Sequence, residues 1–349
     1  MAFTKDVREL TKTPSSLSSY YTLALDAMGG DLGPATSLEA ALASLERHPL
    51  LTLFWVGPEA ILAPLIDAVS NAQAPLLKRL HFIDAPQIVE KTDDLMVILR
   101  QKQNSSMYLA LALVAQGRAN ACISGGSSAA LMALSRHLIK MLPGYERPAF
   151  ASHIPTQKGI CLVLDMGANL SSTGQQLYQF GLLGQALESS LQHKPDVTLR
   201  LLNIATETGT GQSQVQEAHV LLEADPKLNY LGYIEPQEVF DGQASVVVCD
   251  GYAGNILIKS AEGVSNMLAH GFMASLANSE LTPSQSQTVM QDWQFQFDPD
   301  RLNGAFLLGL QGLVVKSHGY ANARALQFAI EATQDYVEMQ LAQRLQDDE

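Results

Sequence analysis

What most constrains this chain is a rhythm in its apolar residues. Short continuous apolar runs, many closed by a glycine-bearing turn, alternate with longer stretches of helical periodicity. "YTLALDAMGG" precedes "PATSLEAALASLERHP", where Leu38, Ala41, Leu42 and Leu45 fall on one helical face. "LTLFWVG" precedes "PEAILAPLIDAVS", with Pro58 suited to a first helical turn. "RLHFIDAP" leads into a helical segment from about Asp94 to Gly117, and "NACISGG" leads into "SSAALMALSRHLIKML". Strand-like runs recur at "PAFASHIP", "GICLVLDMGAN", "VTLRLLNIA", "NYLGYIEP" and "SVVVCDG". A strand that is apolar along its whole length is buried on both faces. The alternation therefore predicts a largely parallel, doubly wound sheet with helices on both sides, a three-layer α/β/α fold.

Residues 1–21 carry scattered charges and the Ser/Thr-rich "TKTPSSLSSYY" without an apolar core, which predicts a flexible extension and no signal peptide. No clear linker or repeat follows, so residues 22–345 read as a single domain. One segment, 276–300, breaks the rhythm. It is polar, rich in Gln and Ser and without Lys or Arg, as expected of a surface excursion. The formal net charge is −13, which argues against a nucleic-acid partner, since that needs a concentrated positive field. The three cysteines, Cys122, Cys161 and Cys249, lie far apart inside apolar runs and read as reduced core residues, not as a disulfide frame or a metal site. No apolar run is long enough for a membrane-crossing helix.

In a parallel sheet the ligand lies beyond the carboxyl ends of the strands, and five of those ends carry similar equipment. "LDAMGGD" supplies Asp26, Gly29, Gly30 and Asp31, and "CISGGSS" supplies Ser124, Gly125, Gly126, Ser127 and Ser128. "LDMGAN" brings Asp165, Gly167 and Asn169, "NIATETGTG" brings Glu207, and "CDGYAGN" brings Asp250, Gly251, Gly254 and Asn255. "VVKSHG" adds Lys316, Ser317 and His318. Glycine lets backbone N–H groups approach an anion, and a following helix adds its positive amino end. "SGGSS" before "AALMALSRHL" is the best such nest, its hydroxyls able both to cap the helix and to meet a phosphate. A tight strand-to-helix turn would account for any one of these loops taken alone. No P-loop, no dinucleotide fingerprint after the first strand, no nucleophile elbow and no H-E-x-x-H is present.

The ordered set "ALDAMGGDLGP", "NSSMYLAL", "ERPA", "LDMGAN", "NYLGYIE", "VVCDGYAGNILIKSAEG" and "NGAFLLGLQGLVVKSHGYAN" resembles the phosphate acyltransferase (PlsX) family of bacterial phospholipid synthesis, over about residues 22–335. The resemblance implies conversion of acyl-[acyl carrier protein] and phosphate to acyl phosphate and holo carrier protein. It implies a cytoplasmic homodimer, with a peripheral position at the inner membrane face as a variant, and a fold similar to phosphotransacetylases and the isocitrate and isopropylmalate dehydrogenase group. It implies no metal or other cofactor, and a membrane glycerol-3-phosphate acyltransferase as consumer of the product. That reaction needs a phosphate cradle, a cation beside it and donors for the oxyanion that develops on the thioester carbonyl. Gly125, Gly126 and Ser127 are then the expected cradle and Lys316 and His318 the charge and proton partners. Asn169 and Asn255 become the expected donors, and Asp26 and Asp31 hold cations and backbone in place.

The sequence departs from the family pattern at clustered positions. "SGGSSAA" puts Ser127 where an amide is usual and Ala129 where a glycine is. "GANLSS" has Ser171 and Ser172 at an acid and a cysteine, and "ATETGTG" has Thr206 and Thr210 at an acid and a lysine. Lys102 is kept, but the neighbouring basic position is Gln103. The family's basic, apolar insertion near 276–300 is shorter and acidic here, so docking of the acidic carrier falls to cations elsewhere, such as Arg136, Lys140 and Arg147. Two alternatives stay open: a divergent paralogue that binds carrier protein or acyl phosphate with little turnover, and a phosphotransacetylase-like enzyme using a short acyl-CoA.

Overall fold

Strand β1 (Tyr21–Asp26) is buried along nearly its whole length and lies parallel to β2 (Leu51–Gly57) on one side and β4 (Ala121–Ser124) on the other. In the computed structural model, which describes residues 21–192, 196–279, 281–282, 284–290 and 299–347, the chain forms two compact units. One comprises Met1–Pro148 with Asn303–Glu349, the other Ala149–Leu302. Of the extension expected over residues 1–21, Tyr21 instead opens β1 and residues 1–20 lie outside the described residues, as do residues 280, 283 and 291–298 of the polar excursion.

In the first unit the strand order is β3 (Leu80–Asp84), β2, β1, β4, β11 (Leu313–Lys316) and β10 (Ala305–Leu308), all parallel except β10, which runs antiparallel to β11. Helix α1 (Pro34–Arg47) starts at Gly33, whose φ of 81° suits glycine, and continues with Pro34, whose fixed φ favours a first turn. Its residues Leu38, Ala41, Leu42 and Leu45 are all buried, as their spacing predicts. Trp55 on β2 is wholly buried, its indole N–H donating 2.9 Å to Ser37 Oγ of α1. A side chain of that size contributes roughly 2–3 kcal/mol through burial. Helix α1 and the C-terminal helix Ala323–Asp347 pack together, and α4 (Ser106–Ala115) packs on α5 (Ser128–Leu138), giving helical layers against the sheet.

The segment expected as one helix from about Asp94 to Gly117 is two: α3 (Leu95–Gln101) and α4. Each begins at its own cap, Asp94 accepting from the Met96 N–H and Ser105 from the Tyr108 N–H. Side-chain capping of this kind competes with helix continuation, and periodicity alone does not reveal it. Pro58 is the residue before α2 (Glu59–Asp67), one position earlier than expected.

The second unit orders its strands β5 (Ala149–Thr156), β6 (Gly159–Leu164), β9 (Val246–Val248), β7 (Thr198–Leu202) and β8 (Asn229–Ile234). Strands β5 and β6 form an antiparallel hairpin and the rest are parallel. Helices α6 (Gly174–Gln192) and α7 (Ser213–Ala224) pack on each other, and α6 packs on β6, β7 and β9. A separate apolar cluster joins Val163, Ile234 and Val247 of the sheet to Val239 of α8 (Pro236–Val239) and to Leu257 and Ile258 of α9 (Gly251–Ala277). All three cysteines are buried and unbridged, with burial pushing the Cys161 thiol up to about 12.

Candidate active site

Three neighbouring parallel strands of the first unit finish side by side, β1 at Asp26, β4 at Ser124 and β11 at Lys316, with Lys316 in register with Ser124. The register alone therefore brings a carboxylate, a hydroxyl and an ammonium to one sheet edge. Asp26 is 4% exposed and its Oδ2 accepts a 2.6 Å hydrogen bond from Ser124 Oγ, while Oδ1 accepts from the Met28 N–H at 3.2 Å. Burial pushes the Asp26 carboxyl above its ordinary value; the hydroxyls of Ser106 and Ser124, the Met28 amide and the charge of Lys316 pull the other way. Ser124 Oγ in turn accepts from the Gly126 N–H at 3.1 Å, so the acid organises the glycine nest through the serine.

The two glycine turns are packed too closely for side chains. A Cβ on Gly29 would lie 2.7 Å from the Gly126 nitrogen and 2.9 Å from the Gly125 nitrogen. One on Gly125 would lie 3.3 Å from the Gly30 Cα. Lys316 Nζ donates to the Gly125 carbonyl at 3.2 Å and to the Ser317 carbonyl. His318 stacks on Tyr320 with ring centroids 5.1 Å apart. A cavity at this edge is lined by Asp26, Gly30, Gly33, Thr36, Gly125 and His318. Asp31 bonds the Gly319 carbonyl through its backbone N–H at 2.6 Å, and its carboxylate pairs with Lys91 Nζ at 2.8 Å. Ser127 caps α5, accepting from the Ala130 N–H at 3.4 Å.

In the second unit Asp165 is wholly buried and spends both carboxylate oxygens on its own surroundings. Oδ1 accepts from the N–H groups of Phe150, Gly167 and Ala168, and Oδ2 accepts from the Asn169 N–H at 2.8 Å and Asn169 Nδ2 at 2.9 Å. Burial raises its pKa against those donors. Asp165 and Asn169 thus build the loop that Asn255, exposed on the first turn of α9, adjoins at Gly167. Asp250 caps α9, accepting from the Ala253 N–H at 2.9 Å. Gly251 and Gly254 let that helix pass directly over the loop; a Cβ on either would collide with a carbonyl, that of Asn169 or Asp165. Glu207 is exposed on a different loop. There Thr210 closes the turn by donating to the Glu207 carbonyl at 2.7 Å and accepting from Asn203 Nδ2 at 3.1 Å. Lys102 is likewise a loop staple in the first unit, bonded to Asp93 and to the Ile88 carbonyl.

The first unit therefore gathers Asp26, Gly29, Gly30, Asp31, Ser124, Gly125, Gly126, Lys316 and His318 at one edge, and the second gathers Asp165, Asn169, Asp250, Gly254 and Asn255 at another. Sequence reading passed over Ser106, Lys91 and Asn303. Ser106 lies in the "NSSM" stretch, whose paired serines were a usable signal. Lys91 lies far along the chain from Asp31 and carries no local pattern, whereas Asn303 opens the "NGAFLLGLQGLVVKSHGYAN" stretch that also holds its partner turn.

A family model described as "Fatty acid synthesis protein" matches residues 21–344. The chain is 41% identical over 336 residues to a phosphate acyltransferase of Pseudomonas putida, spanning 94% of this chain and 97% of that one. It is 39% identical over 317 residues to a phosphate acyltransferase of Saccharophagus degradans, spanning 90% and 91%. Among solved structures, a phosphotransacetylase from Streptococcus pyogenes is similar in fold, with a TM-score of 0.61, 18% identity and coverage of 93% and 95%. With the expected motifs at its strand ends and matches of this extent, the chain belongs to the phosphate acyltransferase family.

Proposed function

We propose that this chain transfers a fatty acyl group from acyl carrier protein to inorganic phosphate, yielding acyl phosphate and holo carrier protein. The observation that carries the reading is the edge of β1, β4 and β11, where Gly30, Gly125 and His318 border one cavity and Lys316 Nζ bonds the Gly125 carbonyl behind it, in a chain of this family. Backbone N–H groups of Gly125 and Gly30 hold the phosphate, the Gly126 N–H being engaged by Ser124 Oγ, and Lys316 offsets its charge. A phosphate oxygen attacks the thioester carbonyl; the new C–O bond forms as the C–S bond breaks, and the sulfur leaves as thiolate and takes up a proton. His318 moves the proton at this step. Asp26 is a positioning group: an acid that accepts from Ser124 and sits beside Lys316 does not repel the anion as an unpaired carboxylate would. In the second unit Asp165 and Asn169 hold their loop, and Asn255 and Glu207 are the exposed side chains open to a ligand.

Carrier docking falls to Arg136, Lys140 and Arg147, all exposed on α5 and the loop after it. The full enzyme is a homodimer, a reading supported by the exposed apolar residues Val264, Met267 and Leu268 of α9; sedimentation of the full chain as a monomer removes it. The product, a reactive acyl phosphate, serves a membrane glycerol-3-phosphate acyltransferase. No helix among the described residues is long and apolar enough to cross a membrane.

The test is phosphate-dependent release of thiol from palmitoyl-[acyl carrier protein], with acetyl-CoA run in parallel. Release from the first substrate supports the reading, and a folded protein that releases none sinks it. Lys316→Ala and His318→Ala are expected to lower kcat about 100-fold with melting temperatures near that of the parent. Unchanged specific activity with a large fall in melting temperature would make both residues structural.

A further inference from the structure

The turn Lys316–Ser317–His318 is held from outside by one buried amide. Asn303 is 2% exposed and lies just before β10. Its Oδ1 accepts from the His318 backbone N–H at 2.9 Å, and its Nδ2 donates to Ser317 Oγ and to the Ala325 carbonyl of the C-terminal helix, both at 2.9 Å. Both amide hydrogens and one carbonyl lone pair are thus engaged. The backbone of the turn is also bound, through Ser317 N–H to the Ser124 carbonyl at 3.0 Å and Ala321 N–H to the His318 carbonyl at 3.1 Å. Those bonds fix the chain path of β11 and the turn, whereas Asn303 fixes the amide from which the His318 side chain projects toward the cavity shared with Asp26, Gly30 and Gly125.

We propose that Asn303 is a positioning residue for His318 and Ser317, an assignment that rests on the acyltransferase reading above. The amide is needed because it accepts and donates at once. An apolar residue leaves the His318 N–H without its acceptor and takes from the Ala325 carbonyl its side-chain donor, and a carboxylate keeps the acceptor but faces that carbonyl with no donor. A displaced His318 slows the chemical step more than it weakens association with the carrier protein, whose contacts lie elsewhere.

The experiment compares the full chain with Asn303→Ala and Asn303→Asp, reading kcat and KM for palmitoyl-[acyl carrier protein], melting temperature, and hydrogen exchange of the peptide spanning Lys316–Tyr320. Asn303→Ala is expected to lose 10- to 100-fold in kcat with KM within about threefold, and its exchange to rise in that peptide. Asn303→Asp, which keeps the bond to His318, is expected to recover part of kcat, and it serves if the alanine variant does not fold. Faster exchange with kcat within twofold of the parent overturns the assignment and leaves the acyltransferase reading standing. A parent protein that releases no thiol overturns that reading, and the assignment with it.

Discussion

At the scale of single residues, the edge of β1, β4 and β11 holds a carboxylate that its surroundings disfavour as an anion. Burial is the largest influence on Asp26 and raises its pKa, so the folded chain holds that proton more tightly than the unfolded chain does. Between the ordinary carboxylate value and the raised one, folding takes up a proton, and the stability contributed at this site falls as pH climbs through that window. Asn cannot titrate. The stability of Asp26→Asn relative to the parent should therefore rise with pH across the window and level off above it, as read by urea denaturation at several pH values. A difference that falls with pH would mean the charged form is favoured. Ser172 gives a second residue-scale prediction. It is 4% exposed and its hydroxyl has no hydrogen-bond partner. Ser172→Ala should stabilise the protein by about 1 kcal/mol in the same denaturation experiment, because a buried orphan hydroxyl costs about that much. Little of this was legible beforehand. Asp26 and Ser124 stand out at their strand ends, but that they bond each other is a fact of register, 98 residues apart.

At the scale of elements, α9 shows how position within one helix decides what a glycine does. Its first turn passes over the Asp165 loop, and a Cβ on Gly254 would strike the Asp165 carbonyl, whereas one on Gly263 meets nothing within 4 Å. Gly254→Ala should cost about 3 kcal/mol or more, since backbone on both sides must shift. Gly263→Ala should stabilise by about 0.5–1 kcal/mol through helix propensity. Thermal melts of the two variants check the pair, and equal effects of one sign would contradict the close approach. The strands were the most legible elements, because a run buried on both faces has to be apolar throughout. The helix expected over about 94–117 was not: apolar residues stop at Leu99 and resume at Met107, and the polar Lys102–Ser105 between them is where the Ser105 cap restarts the backbone.

At the scale of the whole molecule, in the proposed reaction a chain of net charge −13 meets an acidic carrier, so attraction must come from a local patch. Reversing Arg136, Lys140 and Arg147 to Glu together should lower kcat/KM for acyl-[acyl carrier protein] at least tenfold at low salt, with the gap narrowing as ionic strength rises, while the melting temperature stays near that of the parent. A salt-independent loss, or none, would place docking on another surface. The motif order and apolar rhythm already determined the family and a parallel α/β architecture, because both depend on local pattern: periodicity, turn glycines and residues adjacent in the chain. Only the tertiary structure decided which of the marked residues act together. It joined Asp26, Ser124 and Lys316 by aligning three strand ends, turned Asp165 and Asn169 inward onto their own loop, and brought Asn303 beneath His318. Those relations are set by strand register and close packing, which one-dimensional spacing does not encode.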